Sequence, residues 1–210
     1  MSQAATLTVD EQKAAAVWEE HVRAEFEARS VTETLSTMVA NPRVHLAPVM
    51  LGGDGKEEVY EFYGRFMSQI PEDVEMVPVS RTVGQGRVVE EMIFRFTHNI
   101  RMDWMVPGIP PTGRRVEIPL LIVIQFDGNK MAHEHLYWDQ ASVLVQLGVL
   151  APALLPVVGA EGTRSIVDRS IPLNSLLDRA RKAPPAFHRP GARASTGEPS
   201  RRITDQTDRA

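Results

Sequence analysis

Apolar positions recur along this chain with two successive periods. The stretch EQKAAAVWEEHVRAEFEAR carries Val17, Trp18, Val22 and Phe26 at helical spacing on an alanine- and glutamate-rich background. That pattern predicts an amphipathic helix with Asp10 as its N-cap. A second short helix is expected, capped by Thr32 or Thr34 and ended by Asn41-Pro42. After PRVHLAPVM and the glycine turn Gly52-Gly53-Asp54-Gly55, Val59, Phe62, Tyr63, Phe66 and Met67 mark a third helix, stopped by Pro71. From Val74 the period shortens to that of strands. EMVPVSRTV, RVVEEMIFRFTHNIRMDWMV, RRVEIPLLIVIQF and KMAHEHLYWD are separated by Gly84-Gln85-Gly86, PGIPPTG and Asp127-Gly128-Asn129. The last separator predicts a tight hairpin. QASVLVQLGVL closes the series as a helix ending near Gly148.

Helices followed by a run of long strands give an α+β order rather than an alternating one. The expected architecture is a cone-shaped barrel, a bent antiparallel sheet with the N-terminal helices over its concave face. Four regions are expected: a helical extension over 1–30, the α+β domain over 31–150, a C-terminal extension with a short helix over 151–182, and a basic tail over 183–210. Residues 179–210 hold eight basic groups against three acids, a net of +5 within a chain of net charge −4. Beyond Ala183 only Phe187 and Ile203 are larger apolar residues, so disorder is expected there.

Composition removes several classes of chemistry. The chain has no cysteine, which excludes disulfides, thiolate zinc sites and a cysteine nucleophile. The mild acidity of the whole chain gives no global attraction to nucleic acid or anionic lipid, and no apolar run approaches the ~20 residues of a spanning helix. With no secretory signal at the N-terminus, a cytoplasmic location is expected.

The candidate chemistry is a set of polar residues inside apolar strands. His133, His135, Tyr137 and Asp139 alternate with Glu134, Leu136 and Trp138, so each set shares one strand face. If the first set points into the cone, it forms an acid/base array whose pKa values burial would shift; that register is the expectation adopted. His-x-His spacing can also chelate zinc, with His45, His98 or Asp139 as third ligand, although no metal is expected. Arg101 and Asp103 form a second candidate, a pair able to orient a water or a carbonyl oxygen. Strand bulges would bring His98 and Trp104 to the pocket side, and Tyr60 and Tyr63 offer hydroxyl donors from the third helix.

Pro110-Pro111-Thr112-Gly113-Arg114 before a long apolar strand, Asp127-Gly128-Asn129-Lys130, Trp138-Asp139 and Val145-Gln146-Leu147-Gly148-Val149-Leu150 occur in this order. In that order they resemble the SnoaL-like polyketide cyclase branch of the nuclear-transport-factor-two-like superfamily, over roughly Val31 to Leu150. The resemblance implies a cone with a cofactor-free pocket for a small-molecule substrate, often in a homodimer, and an aspartate acting as acid/base, a role that maps onto Asp139. Arg101 and Asp103 also resemble the Arg-x-Asp strand of limonene-type epoxide hydrolases. The expected function is therefore a cofactor-independent cyclase or isomerase working by acid/base chemistry on a small hydrophobic carbonyl compound. The alternatives are a hydrolase acting on an epoxide, lactone or ester, and a non-catalytic binding protein. The expected site is Asp139 with His135 as acid/base pair, His133 and Tyr137 as orienting donors, and Arg101 with Asp103 in support. Tyr60, Tyr63, His98, Trp104 and Tyr137 are the expected substrate contacts. A homodimer is expected because Val116, Ile118, Leu120, Ile122 and Ile124 fill one face while Leu121 and Val123 leave the other apolar.

Overall fold

A computed structural model describes residues 7–182 of the chain; the basic tail expected over 183–210 lies outside the described residues. Helix α1 spans Val9–Phe26 and α2 spans Val31–Ser36. Strands β1 (Met38–Leu46) and β2 (Leu51–Asp54) precede helix α3 (Lys56–Met67). Then follow β3 (Glu75–Gly84), β4 (Arg87–Thr97), β5 (Arg115–Asp127) and β6 (Lys130–Trp138). Helices α4 (Gln140–Gln146), α5 (Ala160–Val167) and α6 (Ser175–Lys182) complete the described chain.

Local chemistry corrects several expected boundaries. The cap of α1 is Thr8 rather than Asp10. Its hydroxyl accepts from the Glu11 N–H while the Glu11 carboxylate accepts from the Thr8 N–H, a reciprocal box that Asp10 is one turn position too late to make. Ser30 caps α2, which ends at Ser36. Asn41-Pro42 ends no helix and lies inside β1, where the ladder to β6 shifts register between Met38 and Arg43. A bulge is where a strand tolerates a proline without an N–H to donate. The long strand expected through Val106 stops at Thr97. Past it residues 102–106 form local turns, with the Met105 and Val106 N–H groups donating to the Met102 carbonyl, and the chain loops back so that His98 N–H donates to the Arg114 carbonyl at 2.9 Å.

The six strands form one sheet in the order β2-β1-β6-β5-β4-β3. All neighbours are antiparallel except β1 and β6, which run parallel. The strands β2 and β3 stand at the two edges, so the curled sheet does not close. The β3–β4 hairpin turns through Gln85 and Gly86, both at positive φ, a primed turn that suits the twist of its strands.

The pairing register decides which residues enter the concave face. Val88, Glu90, Met92, Phe94 and Phe96 of β4 stand opposite Ile124, Ile122, Leu120, Ile118 and Val116 of β5. Across β6, Ile124, Ile122 and Leu120 pair with Glu134, Leu136 and Trp138; in β1, Val44 and Leu46 pair with Glu134 and Leu136. Over this face α3 lays Val59, Phe62, Tyr63, Phe66 and Met67, while α1 lays Trp18, His21, Ala24 and Glu25, all buried. The helix α1 is thus part of the core. On the other side α5 is tied to β5 through Glu117, whose carbonyl accepts from Thr163 Oγ1 at 2.9 Å and whose carboxylate pairs with Arg95 and Arg164.

Candidate functional site

Between α1, α3 and the concave sheet lies a cavity of about 30 Å³, room on the scale of a water molecule. Its sixteen lining residues are apolar or aromatic apart from the carboxylates of Glu25 and Glu134 and the hydroxyl of Tyr63. Val22, Phe26, Met76 and Leu136 are half-buried and mark its mouth, while Trp18, Glu25, Tyr63 and Glu134 are buried at its floor.

The three polar groups converge because three elements present them to one point. Glu25 lies one helical turn after His21 on α1, so both side chains leave the same face. Tyr63 occupies the apolar stripe of α3, and Glu134 the inward face of β6. His21, with no exposed surface, stands one layer behind the cavity and joins the others. Its Nε2 lies 3.1 Å from Glu25 Oε1, 3.6 Å from Glu134 Oε2 and 3.0 Å from the Tyr63 oxygen. The Tyr63 hydroxyl donates to Glu134 Oε2 at 3.1 Å.

The opposite ring nitrogen identifies the proton on it. Thr37 Oγ1 donates its only hydrogen to the Thr34 carbonyl at 2.7 Å. Its 2.6 Å contact with His21 Nδ1 must therefore be one in which Nδ1–H donates. Trp18 stacks on the imidazole with ring centroids 5.8 Å apart, closing it from solvent.

The electrostatics follow from burying two carboxylates together. Burial alone would push the His21 pKa down. The charge of Glu25 and the hydrogen bonds and charge of Glu134 and Glu25 outweigh it, raising the pKa from 6.5 to about 10. The imidazole is then cationic at neutral pH. Burial pushes the Glu25 carboxyl up, opposed by the charge and hydrogen bond of His21. Burial, together with the charges of Glu134 and Glu25, raises Tyr63 well above the usual phenol range, so it remains a neutral donor. His21, Glu25 and Glu134 also offer donor atoms within 4.8 Å of one another, a set able to ligate a cation. The second proton on His21 meets the same demand for positive charge.

The residues expected to form the site are distributed otherwise. The inward face of β6 is Glu134, Leu136 and Trp138, the register opposite to the expected one, because these side chains pair with the apolar inner rows of β5 and β1. His133 and His135 stack on the convex face with centroids 4.8 Å apart, and Tyr137 beside them is 43% exposed. Asp139 lies past the strand end as the N-cap of α4, accepting from the Ser142 N–H at 3.1 Å. Arg101 and Asp103 sit in the loop after β4 and pair with each other. The Asp103 carboxylate also accepts from the Gly108 N–H, a loop-shaping contact; these bonds, that from Arg101 first, hold its pKa below the usual range. Tyr60 points outward from α3 and is 53% exposed. His98 is buried at the end of β4 against Thr112 Oγ1, 3.2 Å away, and burial pushes its pKa down. Tyr63 and Trp104 do line the cavity, and Trp104 donates its indole N–H to the Gln69 carbonyl at 3.1 Å.

His21, Glu25 and Glu134 had no place among the expected site residues. One signal for the first two was present: His21 and Glu25 fall on the stripe defined by Trp18 and Val22, where a polar residue must either break the face or be buried with a partner.

A curled α+β sheet with helices over a polar-floored apolar cavity defines the class of nuclear-transport-factor-two-like folds. The family model of SnoaL-like polyketide cyclases matches residues 11–147, and the chain belongs to that family. The match begins inside α1, the helix that supplies His21 and Glu25. A proposed SnoaL-like polyketide cyclase from Jannaschia sp. CCS1 is similar in structure, with a TM-score of 0.58 and 16% identity, covering 70% of this chain and 100% of that one. AclR from Streptomyces galilaeus, a proposed hydroxylase, has a TM-score of 0.53 and 17% identity over 67% of this chain and 99% of that one. A protein of ketosteroid isomerase-like fold from Catenulispora acidiphila DSM 44928 has a TM-score of 0.50 and 14% identity over 64% and 93%. At these identities the likeness is one of fold. No curated protein sequence matches the chain. No helix among the described residues is long and apolar enough to cross a membrane.

Proposed function

We propose that the chain is an acid/base enzyme of the cyclase or isomerase kind, acting on a small, largely apolar carbonyl compound. The observation that supports this reading is the floor of the cavity: two carboxylates and a phenol inside an otherwise apolar enclosure, with an imidazolium directly behind them. Glu25 is the base. Burial raises its pKa above the usual carboxylate range, which makes it a stronger base than an exposed carboxylate. It removes a proton from the carbon next to the carbonyl. The electron pair moves onto the carbonyl oxygen, which the Tyr63 hydroxyl holds as an enolate. Glu25 then returns its proton, either to the far carbon of a conjugated enolate or to the alkoxide left when the enolate carbon attacks a second carbonyl of the same molecule. Glu134 accepts the Tyr63 hydrogen in the resting site and gives it up when that hydroxyl turns to the substrate oxygen. His21 is a positioning residue: its fixed positive charge lets both carboxylates remain in the dry floor. A substrate enters by displacing the half-buried side chains at the mouth.

Solvent exchange tests this without knowledge of the natural substrate. Small apolar ketones and 1,3-dicarbonyl compounds are incubated with the protein in D₂O, and deuterium uptake at the α-carbon is followed by NMR. Uptake should be catalysed, and Glu25→Gln should slow it by ~100-fold or more, the scale of a positioned acid/base group. Ligand-induced shifts with no exchange would instead indicate a binding protein, and wild-type exchange in Glu25→Gln would remove Glu25 as the base.

A further inference from the structure

The convex face of the sheet carries a second cluster of chemistry that the cavity does not use. Strands β1 and β6 are parallel neighbours in a register that places His45 directly beside His135 and Arg43 beside His133. All three imidazoles therefore project from the face opposite Glu134. The His133 and His135 rings have centroids 4.8 Å apart, and the His45 and His135 rings 5.7 Å. Two imidazoles bound to one tetrahedral ion at ordinary zinc–nitrogen distances place their centroids about 5 Å apart. The ring nitrogens of the three are not gathered within 4.8 Å of one another in the unliganded arrangement; the backbone supplies the spacing of the two neighbouring pairs, and rotation of the half-exposed rings about their terminal torsion, a soft coordinate, brings the nitrogens together on an ion.

The surroundings leave these nitrogens available. Among the described residues none of the three rings hydrogen-bonds to a protein group or pairs with a carboxylate. The cations facing them are drawn elsewhere: Arg43 pairs with Asp54 at 3.5 Å, and the Arg87 Nε–H donates to Gln125 Oε1 at 2.6 Å.

We propose that His45, His133 and His135 form a three-histidine site for a divalent transition ion of the zinc class, with a fourth position open to water. An all-imidazole set of this kind suits zinc, cobalt, nickel or copper and disfavours magnesium and calcium, which require oxygen ligands. The site is separate from the cavity, since β6 turns these histidines and Glu134 to opposite sides.

The test uses the full-length protein stripped of metal. Cobalt(II) titration followed by visible absorption should reach one ion per chain with the intense bands of tetrahedral coordination, and zinc(II) should displace it, while magnesium should not. His45→Ala and His135→Ala should each weaken zinc binding by more than the ~10-fold that loss of even an outer-shell partner of a ligand costs, measured by calorimetry; both changes are on the outer face, and circular dichroism confirms the fold. Weak octahedral cobalt bands, an affinity unchanged in His45→Ala, or binding lost in His21→Gln and kept in the surface variants would each overturn the proposal. The last outcome would place the ion in the cavity floor.

Discussion

At the scale of the residue, His21 has the strongest consequences. An imidazole without exposed surface would ordinarily be neutral, because burial penalises the charged form. Here two carboxylates reverse the sign, and the group titrates at about 10 in the folded chain against 6.5 as an isolated side chain. Between those values the folded protein holds a proton that the unfolded chain has released. The contribution of His21 to stability is therefore complete below pH 6.5 and is lost as pH rises through 10. Urea midpoints should fall between pH 6 and pH 10, and His21→Gln should flatten that dependence. An identical slope in the variant would show that the loss arises elsewhere. Glu25, raised by burial, adds a slope of the same sign at lower pH.

At the scale of the element, the junction of β2 with α3 shows how closely the helix is seated. A Cβ on Gly53 would lie 2.6 Å from the Glu58 carbonyl carbon and the Val59 nitrogen, which are helix backbone and cannot rotate away. Tyr63 leaves the same helix one turn after Val59, so the contact helps set how deep its hydroxyl reaches. Gly53→Ala should destabilise by about 1–3 kcal/mol, the usual scale of overpacking, measured by urea denaturation. A variant as stable as the wild type would mean that α3 can slide without cost. Much at this scale was legible in advance. The apolar positions of α3, the β5–β6 hairpin and the closing helix each follow from periods of a few residues. The run from Arg87 to Val106 was not, since Met102, Trp104, Met105 and Val106 are as apolar in a folded-back loop as in a strand.

At the scale of the whole molecule, the convex face presents a further surface. Leu121 and Tyr137 are paired across β5 and β6 and are 40% and 43% exposed, with Val123 half-buried next to them. We expect two copies to meet at the Leu121–Tyr137 end of this face, with the histidine cluster at its margin, because an apolar row on an open sheet is stabilised by a partner. Sedimentation velocity at micromolar concentration should give a dimer, and Leu121→Asp should shift it to monomer. A wild-type monomer would refute this, as would a dimer unaffected by the charge.

The sequence by itself determined the α+β class, the helical faces and the long β5–β6 hairpin, because these depend on near-neighbour spacing and turn chemistry. Only the tertiary structure decided which side of β6 faces the cavity. Both sides of that strand mix polar and apolar residues, so the local pattern carries two registers of similar merit. The choice falls to Glu134, Leu136 and Trp138 because they complete apolar rows of β1 and β5. Glu134 tolerates that position because the imidazolium of His21, on a helix far away in sequence, stands 3.6 Å from its carboxylate. A counter-charge brought by folding changes the cost of burying a carboxylate, and no local reading of HEHLYWD contains it.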